Sequence, residues 1–155
     1  MVNSLRIQED SDDTSSNTAL LFLQSLRIAA SEPAEQEAIA GGLGAGVAWE
    51  VRNDLLSFGA ELLSAPLSKL TSEEALAVST CMESFRRVPE VVFRDSGSGP
   101  GISLLHEAWD AQRRCARVTL LQLACMVSRI YREFELDLDW YHTLVVSLDE
   151  PPKPA

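Results

Sequence analysis

LLHEAWDAQRRCARVTLLQLACMVSRIYREF, residues 104–134, holds neither glycine nor proline. Its apolar residues fall at Leu105, Ala108, Trp109, Ala116, Leu120, Leu123, Ala124, Val127, Ile130, Tyr131 and Phe134. Those steps follow the three- and four-residue spacing that lines side chains along one face of an α-helix. A helix over Leu104–Phe134 would run roughly 46 Å at 1.5 Å per residue, longer than a compact domain of this size is wide. The spacing therefore predicts an all-α fold, an array of five to six helices around one long pillar.

Upstream of the pillar, Thr71-Ser72-Glu73-Glu74 has the Thr-x-x-Glu form of a capping box. It opens a helix from Ser72 to about Val88 through Ala75, Val78, Cys81, Met82 and Phe85, which Pro89 stops. Before it, Ala45 to Ser64 carries Ala48, Val51, Leu55, Phe58 and Leu62 at helical spacing, with Trp49, Leu56 and Leu63 widening the face. A first helix is expected over Thr18–Ala30, with Ala19, Phe22, Leu23, Leu26 and Ala29 on one stripe. A short acidic helix over Ala34–Ala40 follows Pro33, and GGLGAG (41–46) reads as a hinge. The predicted core includes Trp49, Leu55, Phe58, Leu62, Val78, Met82, Leu120, Leu123, Val127 and Ile130.

The ends are less patterned. Residues 1–16 are polar and acidic without an apolar face, and read as a flexible tail. Residues 17–148 then form a single helical domain, and 149–155 a flexible Pro-rich tail. Within it, residues 137–148 are ambiguous between strand and helix. Alternation and β-branching favour a strand, whereas Asp137 and Asp139 ahead of Trp140, Leu144 and Leu148 suit a helix start. Helix is the preferred reading, because a lone strand would lack a partner.

With 155 residues the chain is about one domain, large enough to bury a core without disulfide staples. The formal net charge of -10 argues against nucleic acid as a partner, since phosphate binding needs a basic field. No apolar run reaches the roughly 20 residues needed to span a membrane, and the N-terminus lacks the form of a signal peptide. Three cysteines without a CxxC pair fit a reducing, cytoplasmic setting. Charge is unevenly spread: residues 86–132 hold eight arginines against four acids, and the rest of the chain is strongly acidic. Internal pairing between the halves, including Asp110 with Arg114 and Arg129 with Glu133 at i,i+4, is the ordinary explanation. An Arg-lined site for a small anion is the alternative.

Few residues suggest chemistry. His106, Glu107 and Asp110 resemble a zinc-peptidase HExxH helix with Asp in place of the second His, which would make a metal-dependent hydrolase. No third ligand is identifiable, and acids in a first helical turn are explained by the helix dipole. Gly41 and Gly46 are followed by Val47-Ala48 rather than Lys-Ser, so no phosphate loop is formed. Cys115 lies beside Arg114 and Arg117, neighbours that lower a thiol pKa, although a buried structural thiol is the commoner outcome. No cofactor is indicated.

The segments NDLLSFGAELLS (53–64), LTSEEALAV (70–78) and LHEAWDAQRRCA (105–116) resemble, in that order, small uncharacterised bacterial helical proteins. Some of those are associated with toxin systems as immunity proteins. The resemblance covers about Asn53 to Leu123 and implies no catalytic residues. Together these readings favour a non-catalytic protein-binding module, immunity-like or an adaptor, that meets a basic protein through an acidic surface. The expected contact residues are Glu35, Glu37, Glu50, Asp54, Glu73 and Glu74, with Trp109 as an aromatic anchor. A homodimer built on the long helix, with Trp109 near its seam, is the structural alternative.

Overall fold

A computed structural model describes residues 2–32, 35, 45–64, 70–88 and 109–149, with side chains over 15–32, 35, 48–64, 70–88 and 109–147. Six helices are found among them: α1 (Val2–Ala30), α2 (Ala45–Ser64), α3 (Ser72–Arg86), α4 (Asp110–Gln122), α5 (Ala124–Glu133) and α6 (Asp139–Asp149). No strand occurs among the described residues. The all-α expectation holds, and 139–149 is helix rather than strand.

The contacts between elements close a ring. Helix α1 packs on α2 and α4, α2 packs on α3, and α3 packs on α4. Helix α5 continues α4 and touches α1. Each stripe read from the sequence faces inward: Phe22, Leu23 and Leu26 from α1, Leu55 and Leu62 from α2, Val78, Met82 and Phe85 from α3, and Leu120 from α4 are buried. Of the predicted core, only Trp49 and Phe58 are half-buried, packed on its margin. Burying a side chain of this kind contributes about 1.5–3 kcal/mol, so the common interior holds the ring together.

Two expectations are corrected. Helix α1 begins at Val2 rather than at the expected Thr18; no glycine or proline interrupts 2–30, so the chain can be helical without an apolar face. The pillar, in turn, is not one straight helix. It divides at Leu123, where φ and ψ are -98° and 22°. One turn earlier the Thr119 hydroxyl donates to the Cys115 carbonyl at 2.8 Å, the i−4 back-bond that bends helices. The i→i−4 ladder nevertheless bridges the break, through Leu123 N–H to Thr119 O and Val127 N–H to Leu123 O. Residues 104–108, the first turn of the predicted pillar, lie outside the described residues, as do the expected Ala34–Ala40 helix apart from Glu35, and the tail after 149.

The capping box is present as read. Glu74 N–H donates to Thr71 Oγ1 at 3.1 Å, and Thr71 N–H donates to Glu74 Oε1 at 3.0 Å. Helix α5 ends in a Schellman motif: Leu136 N–H reaches Tyr131 O at 2.8 Å, and Glu135 N–H reaches Arg132 O at 3.1 Å. Helix α6 then folds back, its Tyr141 hydroxyl donating to the buried Leu120 carbonyl at 2.9 Å.

No helix among the described residues is long and apolar enough to cross a membrane.

Candidate functional site

The acidic candidates separate once placed. Glu50 and Asp54 stand one turn apart on the exposed side of α2. Burial of part of the side chain, and then the neighbouring Glu50 charge, push the Asp54 carboxyl above its ordinary pKa of 3.8. No basic side chain lies within ion-pairing distance of either carboxylate among the described residues. The only arginine between them, Arg52, turns inward: it is buried, its Nε–H donates to the Phe85 carbonyl at 3.1 Å, and its guanidinium lies 5.8 Å from the Trp49 ring. The sequence places a cation two residues from each acid, and the fold spends that cation on tying α2 to α3.

Glu73 is exposed in the first turn of α3, where an acid complements the helix dipole. Glu35 is exposed beside α1. Glu74 is not a surface group: it is buried as the reciprocal half of the capping box, so its role is structural. Trp109 is likewise removed from the surface. It is fully buried, its ring edge-on to Phe85 at 5.8 Å, and it cannot anchor a partner or a dimer seam without unpacking the core. Glu37, His106 and Glu107 lie outside the described residues. Asp110 is exposed and engaged by Arg113 at 2.7 Å. Among the described residues no group of three His, Cys, Asp or Glu side chains converges as a metal cage does.

The Arg-rich segment is directed largely inward, by a route that pairwise sequence reading does not reach. Arg113 is buried and donates from Nε to the Ser31 carbonyl at 2.9 Å, while Arg117 Nε donates to the Ala30 carbonyl at 2.7 Å. Both carbonyls belong to the C-terminal end of α1, which carries negative partial charge and unpaired acceptors. Arg117 also pairs with Glu32 at 2.5 Å. The expected i,i+4 partner of Asp110 is therefore Arg113 at i,i+3, and no ion pair joins Arg129 to Glu133 among the described residues. Charge separation along the chain does become internal pairing, but backbone carbonyls take a large share of it.

Beside this junction lies an open cleft of about 360 Å³ lined by Arg27, Glu32, Glu35, Arg117, Trp140 and Thr143, among others. Arg27 stacks over Trp140 at 5.0 Å. With two arginines balanced by two glutamates, the cleft carries no excess positive charge that would favour a free anion.

No protein-family model matches the chain, and neither a curated protein nor a solved structure matches it.

Proposed function

We propose that the chain is a non-catalytic protein-binding module whose acidic α2 face, centred on Glu50 and Asp54, receives a basic partner. The observation that carries this reading is the uncompensated carboxylate pair. Like charges at i,i+4 repel, costing about 0.2–0.5 kcal/mol on a helix surface, and among the described residues no basic side chain lies within ion-pairing distance of this pair. A lysine or arginine from a partner would relieve that repulsion and gain two charge-assisted hydrogen-bond acceptors. Glu73 on α3 extends the acidic character of the exposed surface. An immunity-like role is the form of this function that the resemblance of residues 53–123 suggests.

The test is comparative capture. Wild-type protein and a Glu50→Lys/Asp54→Lys variant of matched helicity are presented to extract of the native organism. A basic protein retained by wild type and lost by the variant is the expected result. Equal retention of every captured protein by both chains removes α2 as the binding face. The hydrolase alternative makes a different prediction, metal bound stoichiometrically by wild type and lost in His106→Ala.

A further inference from the structure

We propose that Cys115 is a hydroperoxide-reactive thiol, and that Cys81 is the resolving thiol that closes it into a Cys81–Cys115 disulfide between α3 and α4. The placement follows from the register of the two helices. Ser84 Oγ donates to Gln112 Oε1 at 3.4 Å, and the Phe85 and Trp109 rings meet at 5.8 Å. Moving forward along α3 thus means moving backward along α4, and stepping one turn from the Ser84–Gln112 pair sets Cys81 opposite Cys115. The two thiols are close enough there to perturb each other's ionisation, and both are free in this structure.

The helical geometry suits a bridge. Axes of packed helices lie about 8–10 Å apart, and each Cα sits about 2.3 Å off its axis. Facing Cα atoms therefore fall near the separation of about 4.4–6.8 Å that a disulfide spans.

The two thiols are unequal, which assigns their roles. Cys81 is buried, whereas Cys115 is half-buried. The facing Cys81 thiol lowers the Cys115 pKa, burial opposes it, and the neighbouring Ser84 and Thr119 side chains lower it further, leaving it at about 6. The same pairing, with burial, pushes the Cys81 thiol up. With its pKa lowered, Cys115 carries more thiolate at pH 7 than the about 3% of an ordinary cysteine. Arg117 is not the cause, since it is turned toward Ala30 O and Glu32.

The chemistry balances with a hydroperoxide as the oxidant. The Cys115 thiolate attacks the terminal peroxide oxygen and the O–O bond breaks. The leaving alkoxide, or hydroxide from hydrogen peroxide, takes up a proton, and Cys115 becomes a sulfenic acid. The Cys81 sulfur then attacks the Cys115 sulfur. The S–S bond forms, the S–O bond breaks, and the departing hydroxide leaves as water with the Cys81 proton. Two thiols have lost two electrons and two protons, and one hydroperoxide has been reduced to water or alcohol and water.

The test uses the full chain in a Cys125→Ser background, which removes the exposed third thiol. Reduced protein is treated with a small molar excess of hydrogen peroxide, alkylated and digested with trypsin. The expected result is a monomer lighter by two hydrogens. The fragment 70–86, containing Cys81, should be joined to 115–117, containing Cys115, and dithiothreitol should separate them. Cys81→Ser should stall at a sulfenic acid on Cys115 that dimedone traps, and Cys115→Ser should form no disulfide. The fragment mapping does not depend on either variant folding. Unjoined fragments with both thiols still alkylated, or disulfides only between molecules, would overturn the proposal.

Discussion

Glu135 sits at φ 54°, the only non-glycine residue with positive φ among the described residues. It occupies the C′ position of the Schellman motif that ends α5, where glycine is favoured because a Cβ crowds the backbone in that region. Its side chain is exposed, so nothing in the packing requires glutamate there. Glu135→Gly should therefore raise stability by about 0.5–1 kcal/mol, seen as a higher urea midpoint with an unchanged slope. A midpoint that falls would show that the glutamate makes a contact worth more than the strain. The place of the stop was legible, because the apolar spacing ends at Phe134, but its left-handed geometry was not. No Gly or Pro marks residues 134–138.

At the scale of elements, Gly59 decides how closely the helices approach. A Cβ built there would stand 2.6 Å from Met82 Sδ, 2.9 Å from Met82 Cγ and 3.2 Å from Phe22 Cε2. The bare backbone of α2 is thus pressed against side chains of both α1 and α3. Replacing a helical glycine by alanine ordinarily stabilises by about 1 kcal/mol. Here the overpacking term, about 1–3 kcal/mol, opposes it because Met82 is itself buried and has nowhere to retreat. Gly59→Ala should accordingly lower the thermal midpoint, with a net loss of about 1 kcal/mol. A raised midpoint would mean that Met82 repacks freely. The sequence gives the existence and phase of α2, because Leu55 and Leu62 repeat at helical steps and are buried as expected. It does not reveal that Gly59 is a contact point, since a glycine carries no hydrophobic signal. Likewise Ala116, Leu120 and Leu123 fix the buried face of α4. The interruption at Leu123, one turn after the Thr119 back-bond to the Cys115 carbonyl, is invisible in a residue pattern.

For the whole molecule, the sequence records a net charge of -10 but not where that charge is compensated. Arg113 and Arg117 meet Ser31 and Ala30 across more than eighty residues of chain, a pairing that no local spacing announces. With these arginines and Arg52 so engaged, no basic side chain among the described residues pairs with Glu50 or Asp54. This arrangement has a pH signature of definite sign. The Asp54 pKa is raised in the folded state above its ordinary 3.8, so the folded chain holds the proton more tightly than the unfolded chain. The stability that proton contributes is complete below the unfolded value and is lost as pH rises through the folded one. At pH 7 the charged Asp54 is thus a mild liability, and Asp54→Asn should stabilise by a few tenths of a kcal/mol. The gain should shrink toward zero below about pH 4, where wild-type Asp54 is itself neutral. The same carboxylates should govern the rate at which a basic partner arrives. Surface charges are screened beyond about 8 Å at physiological salt, so association of wild type with the captured partner should slow markedly as salt is raised. Because complementary fields act mainly on the encounter, the dissociation rate should change less. Asp54→Asn should slow association modestly and Glu50→Lys/Asp54→Lys severely, with both differences narrowing at high salt. A partner whose association rate ignores both salt and these substitutions would bind elsewhere, and the half-buried Trp49 and Trp140 would then be the next side chains to replace.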